Sequence, residues 1–310
     1  MSRIGEPERK ELAGRFGDRV RFDAPLAPFT SWKIGGPADA LVSIESTDEV
    51  AFVLRLCVRR GIAWFVLGSG SNLLVGDGGI RGIVLRLGGE YTSLAVDAKS
   101  EAGIVLVRAG AAASLSLLTA QAASAGARGI GSLAGVPGSV GGALRMNAGT
   151  DREMGDFVRD VWIQTPSKPD AHAVTPQYYY RRTSLARDAI VSHVTLAFER
   201  AEPTEVRGEM QRRLVRRKET QPLQFPNAGS CFRNPEGNHA GRLIEEVGAK
   251  GWRVGGAEVS RLHANFIVNV DGATAQDVTT LLARVRRAVH ERFAVDLELE
   301  VHLVGEFICP

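Results

Sequence analysis

The chain has 310 residues, 44% hydrophobic and 24% charged, enough for two or three domains with ordinary globular cores. No apolar run is long enough to span a membrane, and the charged N-terminus MSRIGEPERKELAGRF has no apolar signal stretch, so a cytoplasmic protein without membrane insertion is expected. The net charge of +3 leans toward anionic ligands, and neither Cys57, Cys231 and Cys309 nor the six scattered histidines have disulfide or metal-ligand spacing.

Residues 1–22 read as an N-terminal helical segment on the surface. Ser46 followed by Glu49 has the spacing of a capping box, Val50, Val53, Leu54 and Cys57 recur at helical spacing, and Gly61 can stop that helix. The apolar run 64–67 reads as a buried strand leading into a glycine-rich loop. Runs 82–87 and 104–107 read as further strands, and 114–125 as a small-residue helix. The stretch from Gly131 to Thr150 is too rich in Gly and Pro for one regular element. Runs 158–164 and 193–198 are strand-like. Thr204 is placed to cap a basic helix running to about Glu219, with a domain boundary there: 23–203 before it, 204–310 after it. In the last part, 244–247 ends a short helix and 265–270 is a strand. Thr274 with Asp277 caps a long helix whose apolar stripe is Val278, Leu281, Leu282, Val285 and Val289. From Asp296 the chain alternates strictly, with Leu297, Leu299, Val301 and Leu303 on one face and Glu298, Glu300 and His302 on the other.

Two loops carry a ligand signal. In the first, Gly68 and Gly70 permit left-handed backbone, successive N–H groups can form an anion nest, and Ser69, Ser71 and Asn72 add donors ahead of Leu73. It is neither a dinucleotide-binding GxGxxG, whose third glycine would fall at Leu73, nor a phosphate-binding GxxxxGK[ST]. A tight turn explains this loop alone equally well. The second, GVPGSVGG from Gly135, holds more small and rigid residues than a turn needs. Two such loops, each behind a strand, fit one extended dinucleotide, and on spacing alone FAD and NAD both span it. The basic run from Arg212 to Lys218 is either a solvated helix face or a phosphate-facing patch; no aromatics interleave it, so nucleic acid is not expected.

Seven segments, in order, carry a resemblance to the UDP-N-acetylenolpyruvoylglucosamine reductase family: TSWKIGGPAD from Thr30, LGSGSNLLV from Leu67, GVPGSVGGALRMNAG from Gly135, YRRTS from Tyr180, GSCFRNP from Gly229, HANFIVN from His263 and LEVHLVGE from Leu299. The resemblance implies an α+β protein: a two-lobed FAD-binding domain of the vanillyl-alcohol-oxidase type plus a C-terminal α+β substrate-binding domain. It is similar to the shorter of the two family types. It implies noncovalent FAD, NADPH as electron donor, a UDP-sugar substrate and a monomer. The family's usual Glu near Gly131 is missing, and Thr150, Asp151 and Arg152 replace its AlaTyrGly, which bears on local flavin contacts.

Residue by residue, the resemblance places the cofactor against Lys33, Ile34 and Gly35, against Gly68, Ser69, Gly70, Ser71, Asn72 and Leu73, and against Gly135, Val136, Pro137, Gly138, Ser139, Gly141, Gly142, Asn147, Ala148 and Gly149. Arg181, Ser230 and Glu300 match its catalytic positions, and Lys218 and Asn234 match substrate contacts; His263 and Asn265 either line the same cleft or cap a strand. An arginine suits an enolate, a serine can return a proton to carbon, and a glutamate can assist only if protonated. Cys231, beside Ser230, is read as facing the other way. The alternatives are another flavin oxidoreductase of the same fold and a nucleotide-binding module.

Overall fold

The computed structural model describes residues 4–99 and 101–307; Cys309 and the first three residues of the N-terminal segment lie outside them. The chain folds into two compact units that are not contiguous in sequence. The first takes the N-terminal stretch to Arg21, Leu41–Ser69 and Ile83–Arg217. The second takes Phe22–Ala40, Gly70–Gly82 and the chain from Lys218 onward.

The first unit is built on a five-stranded antiparallel sheet ordered Leu94–Asp97, Ile104–Gly110, Ile190–Glu199, Val158–Gln164 and His172–Val174. Val105, Val107, Val161, Val194 and Leu196 bury one face of it under the helix Leu115–Ser124, which Ser114 caps by accepting from Leu117 N at 3.4 Å. The helix Thr47–Arg60 buries Val50, Val53, Leu54 and Cys57 and ends on left-handed Gly61 (φ 63°). Its capping box is only half made. Ser46 Oγ accepts from Glu49 N, but the Glu49 carboxylate turns to Arg19, which donates from both terminal nitrogens at 2.8 and 2.6 Å. The strand Trp64–Val66 pairs in parallel with Ile83–Leu85 and is half-buried, less enclosed than its apolar sequence implies.

The basic helix spans Pro203–Thr220. The cap expected at Thr204 is displaced because Pro203 takes the first helical position, where its fixed φ and missing N–H cost nothing. Val206 is buried in the first unit's core, and the helix belongs to that unit as far as Arg217. The boundary expected at 204 thus falls at the start of a helix that is itself packed on what precedes it.

The second unit centres on the helix Ala275–Phe293, whose Val278, Leu281, Leu282, Val285 and Val289 are all buried. Its N-terminus is tied by four hydrogen bonds. Thr274 and Asp277 exchange bonds at 3.0 Å, and Asp77 accepts from Ala275 N and Gln276 N at 2.9 and 3.0 Å. Beside it lies the antiparallel sheet Arg253–Val254, Ala257–Val259 and Ile267–Asn269. Buried Trp32 donates to Ile267 O at 2.8 Å. The alternating segment from Asp296 is not one strand. Leu297 and Val301 are buried, but Leu303 is 41% exposed. The chain pairs first with 231–233, through Phe232 and Leu299, and then as His302–Val304 in parallel with Leu73–Val75. Changing partners interrupts a ladder that the sequence pattern alone continues. Among the described residues, no helix is long and apolar enough to cross a membrane.

Candidate active site

In the first unit the two glycine loops meet. Gly68 and Ser69 are exposed at the end of Trp64–Val66, and a Cβ built on Gly68 would stand 2.9 Å from Ser139 Oγ. A Cβ there would push the Ser139 hydroxyl out of its capping position. Ser139 is buried and caps the one-and-a-half-turn helix Val140–Arg145, accepting from Gly142 N at 3.4 Å. Gly141 lies flat on Ala111, donating to its carbonyl at 2.8 Å with no space for a Cβ, whereas Pro137 and Gly142 are exposed. Gly135 and Gly138 take left-handed φ values of 75° and 137°. Val136 is half-buried between them. The result is a bare, small-residue surface running from 68 to 142, of the kind a flat diphosphate-bearing cofactor needs, and the residues present fit FAD.

The same stretch ends in a polar keystone. Asn147, 2% exposed and in a left-handed conformation (φ 43°), donates to Tyr179 O at 3.1 Å and accepts from Gly155 N at 2.8 Å. Its Nδ2 also donates to Glu153. The other oxygen of Glu153 takes Arg181 Nη1 at 3.1 Å, and Arg181 Nη2 donates to Gly149 O at 3.0 Å. Ala148 and Gly149 are buried here, and a Cβ on Gly149 would collide with Arg152 O. Burial pushes the Glu153 carboxyl up, and the Arg181 charge opposes it. Arg181 therefore sits on the hairpin Tyr178–Tyr179/Arg182–Thr183 with its guanidinium tied to the cofactor stretch and stacked 4.7 Å from the Tyr180 ring. Five non-glycine residues among those described have left-handed backbone: Asp23, Lys33, Asn147, Arg181 and Ala294. Three of them are candidate site residues, in keeping with backbone strain gathering where a side chain must be aimed.

Thr150, Asp151 and Arg152, where the family pattern is broken, are absorbed locally. Arg213 forks onto Asp151 at 2.6 and 2.9 Å and reaches Thr150 Oγ1 at 3.1 Å. Hydrogen bonding from Arg213 holds the Asp151 carboxyl well below the usual range. Arg152 lies over the Phe157 ring at 4.4 Å.

In the second unit, residues 30–36 form a tight turn. Thr30 Oγ1 donates to Ile34 O at 2.8 Å, Lys33 is exposed with φ 60° and its Nζ on Pro28 O, Ile34 is buried, and Gly35 (φ 146°) leaves no room for a Cβ beside Val75. Gly70 (φ 62°) accepts from Ser31 N at 3.0 Å, which joins this turn to the loop carrying Ser71. Asn72 Nδ2 donates to Glu300 O at 3.0 Å, and Leu73 pairs with His302. Glu300 N donates to Cys231 O at 2.8 Å, so the segments of Glu300 and Ser230 run side by side.

A cleft of about 520 Å³ is lined by Ser230, Asn234, His263 and Asn265, with His239, Arg242 and Glu245 also on its wall. Four sequence-chosen residues thus share one concavity, although not all present free polar groups to it. Asn265 is 4% exposed; its Oδ1 accepts from Phe232 N at 3.0 Å and its Nδ2 donates to Phe232 O at 2.8 Å, imitating a strand partner for the segment after Ser230. Asn234 Oδ1 accepts from Ala240 N at 3.1 Å, at the start of the helix Ala240–Glu246. His263 Nδ1 accepts from Asn265 N at 3.2 Å, which puts any proton of a neutral ring on Nε2, and burial lowers its pKa. Cys231 is 1% exposed, and burial pushes its thiol up to about 12, with the nearby Glu300 charge adding to the effect. It is a packing residue facing away from the cleft, as expected. Lys218 stands exposed at the end of the basic helix. Sequence reasoning missed Glu153, Asn72's grip on Glu300, and Arg242 and Glu245 of the cleft. Only Glu153 had a usable signal, a carboxylate four residues beyond NAG, in the next turn of chain.

Residues 38–166 match an FAD binding domain, and residues 221–304 match the C-terminal domain of UDP-N-acetylenolpyruvoylglucosamine reductase. The chain is 46% identical over 304 residues to UDP-N-acetylenolpyruvoylglucosamine reductase 2 of Symbiobacterium thermophilum, with 96% of each chain covered. It is 43% identical over 295 residues to the reductase of Moorella thermoacetica, covering 93% of this chain and 94% of that one. The crystal structure of the reductase from Thermus caldophilus superposes with a TM-score of 0.78 at 36% identity, over 92% of this chain and 98% of the other. With an FAD binding domain, a match to the reductase's C-terminal domain and relatives aligned end to end, the chain belongs to the UDP-N-acetylenolpyruvoylglucosamine reductase family, an FAD-dependent oxidoreductase family of α+β fold.

Proposed function

We propose that the chain reduces UDP-N-acetylglucosamine enolpyruvate to UDP-N-acetylmuramate, with NADPH as electron donor, as a cytoplasmic monomer supplying peptidoglycan precursors. The observation that carries this reading is the cleft of Ser230, Asn234, His263 and Asn265 in a chain whose other unit presents two joined glycine loops. FAD, when bound, supplies the relay of hydride from NADPH to the enolpyruvyl methylene carbon. The bare backbone at Gly68, Gly138 and Gly142, with Ser69 and Gly135 in the same loops, would hold it.

The protein's own part is charge, position and a proton. Hydride addition to the methylene carbon leaves an enolate whose negative charge is delocalised into the substrate carboxylate. Arg181 is the residue for that charge: its guanidinium is always cationic, and its tie to Glu153 and Gly149 fixes its direction before substrate arrives. Ser230 donates the proton to the adjacent carbon. The backbone clamp from Asn265 to Phe232 keeps its segment extended at the cleft. Glu300 is held through both backbone groups, its N on Cys231 and its O on Asn72, beside the Ser230 segment, where a carboxyl group assists an enolate only as a protonated hydrogen-bond donor. Lys218 and Asn234 are the contacts for the sugar nucleotide.

The test is Ser230→Ala in separated half-reactions. Flavin reduction by NADPH should stay within about twofold of wild type, while flavin reoxidation by the enolpyruvyl substrate should fall by roughly 100-fold or more, the scale of one general acid. Equal loss in both halves would remove Ser230 from proton transfer. Oxygen consumption with indifference to NADPH would instead favour another flavin oxidoreductase of the same fold.

A further inference from the structure

The basic run from Arg212 to Lys218 divides on folding. Arg213 is consumed by Asp151, Thr150 and Glu209, and Arg212 and Lys218 are exposed. Arg217 is different. Its side chain is half-buried and lies along the second glycine loop: a Cβ built on Gly135 would stand 2.9 Å from Arg217 Cδ and 3.2 Å from Nη1. Gly135 is therefore glycine for two reasons, its φ of 75° and the arginine stem laid across it. Among the described residues, no carboxylate or hydrogen-bond acceptor engages the Arg217 side chain. Burial alone lowers its pKa, with no carboxylate opposing the shift.

A guanidinium taken partly out of water without a counter-charge is costly, and an anion joining it would repay that cost. Its planar fork matches phosphate oxygens two at a time, better than a lysine does. Next to it the loop offers the exposed surface of Pro137 and Gly142 and a backbone kinked by Gly135 and Gly138. Glu209, on the same helix, sits on Arg213.

We propose that Arg217 is the counter-charge for a diphosphate lying over the second glycine loop. Two sources carry that group, FAD and the UDP-sugar, and the chemistry recognised is the same. Arg217 binds the anion and takes no part in the transfer of hydride or proton. The proposal rests on reading this loop as part of a ligand cradle, and the test separates the two ideas.

The experiment measures equilibrium binding rather than turnover. FAD is titrated into apoprotein and followed by its fluorescence; UDP-N-acetylglucosamine is titrated into the purified protein by calorimetry. Arg217→Met keeps the stem and removes the fork, and Arg217→Lys keeps the charge. Expected is a loss of roughly tenfold or more for one of the two ligands in Arg217→Met, as when one charge-assisted hydrogen bond is removed. Arg217→Lys should fall between it and wild type, and the salt dependence of that binding should be flatter in Arg217→Met. Loss in the FAD arm assigns the cofactor's diphosphate; loss in the UDP-sugar arm assigns the substrate's. Both affinities within twofold of wild type in a folded Arg217→Met overturn the proposal. If Arg217→Met does not fold, Arg217→Lys decides: a loss of threefold or more in either arm supports it, and wild-type affinity in both overturns it. Wild-type protein that takes up no FAD would defeat the cradle reading itself, and the calorimetric arm would still judge Arg217.

Discussion

Replacing Asn265 by alanine separates holding a strand from touching a substrate. In the wild type the carboxamide serves both backbone groups of Phe232, at 3.0 and 2.8 Å, in a position only 4% exposed. Alanine removes both partners and leaves a peptide N–H and C=O unsatisfied. Each costs about 1–3 kcal/mol when buried. Because Asn265 also borders the cleft, water can reach part of the vacated space. The lower half of the summed range applies, giving about 3 kcal/mol, a large share of an ordinary domain's stability of about 5–15 kcal/mol. Urea unfolding followed by circular dichroism measures it as a lower midpoint at unchanged slope. The same variant should slow flavin reoxidation by substrate, because Ser230 is two residues upstream of the released peptide. It should leave reduction by NADPH near wild type. A loss below about 1 kcal/mol, with a raised KM for the UDP-sugar as the only effect, would refute the clamp and make Asn265 a substrate contact.

Three further outcomes follow from the geometry. Gly68→Ala should fold but bind FAD more weakly, by about 1–3 kcal/mol, since its Cβ would press on Ser139 Oγ at 2.9 Å; adding Ser139→Ala should restore much of the affinity, and no restoration would place the clash elsewhere. Asp151 has a folded-state pKa depressed chiefly by Arg213, so its stabilising contribution is full above its unfolded value of about 4 and is lost as pH falls below that. The stability gap between wild type and Asp151→Asn, measured by urea melts, should accordingly shrink from pH 7 to pH 3, and a gap that widened would reverse the sign of the coupling. Cys57 and Cys231, buried with thiols pushed up to about 12, should resist iodoacetamide at pH 8 in the native protein and react once it is unfolded; peptide mapping that found native Cys231 labelled would bring it out of the core.

What could be read beforehand was local. Ser46 and Thr274 cap helices because a short hydroxyl side chain ahead of a periodic apolar stripe satisfies the first free N–H groups, a rule that needs no tertiary partner. The stripe on Ala275–Phe293 is of the same kind. The long basic helix was visible but its first residue was not, since Pro203 outcompetes Thr204 as the start. Less legible was anything that depends on a distant segment. Nothing near Glu300 in sequence announces that Asn72 holds its carbonyl, nor does a strictly alternating run reveal that it will exchange Phe232 for Leu73–Val75 as its neighbour. The interleaving of Phe22–Ala40 and Gly70–Gly82 with the C-terminal residues is hidden for the same reason. The motifs singled out Arg181 as a candidate, but its partner Glu153 lies 28 residues earlier and only the folded hairpin joins them. For Asn265 a cleft-lining side chain and a strand cap were both open, because residue type cannot say which way a carboxamide points.

The most direct test is the visible spectrum of the purified protein, before and after anaerobic NADPH and then with UDP-N-acetylglucosamine enolpyruvate. A flavin band that bleaches with NADPH and returns with the substrate is the expected result, for both hydride transfers must then run through this chain. A band that bleaches and stays bleached would contradict the assignment of the substrate while leaving the flavin cradle in place.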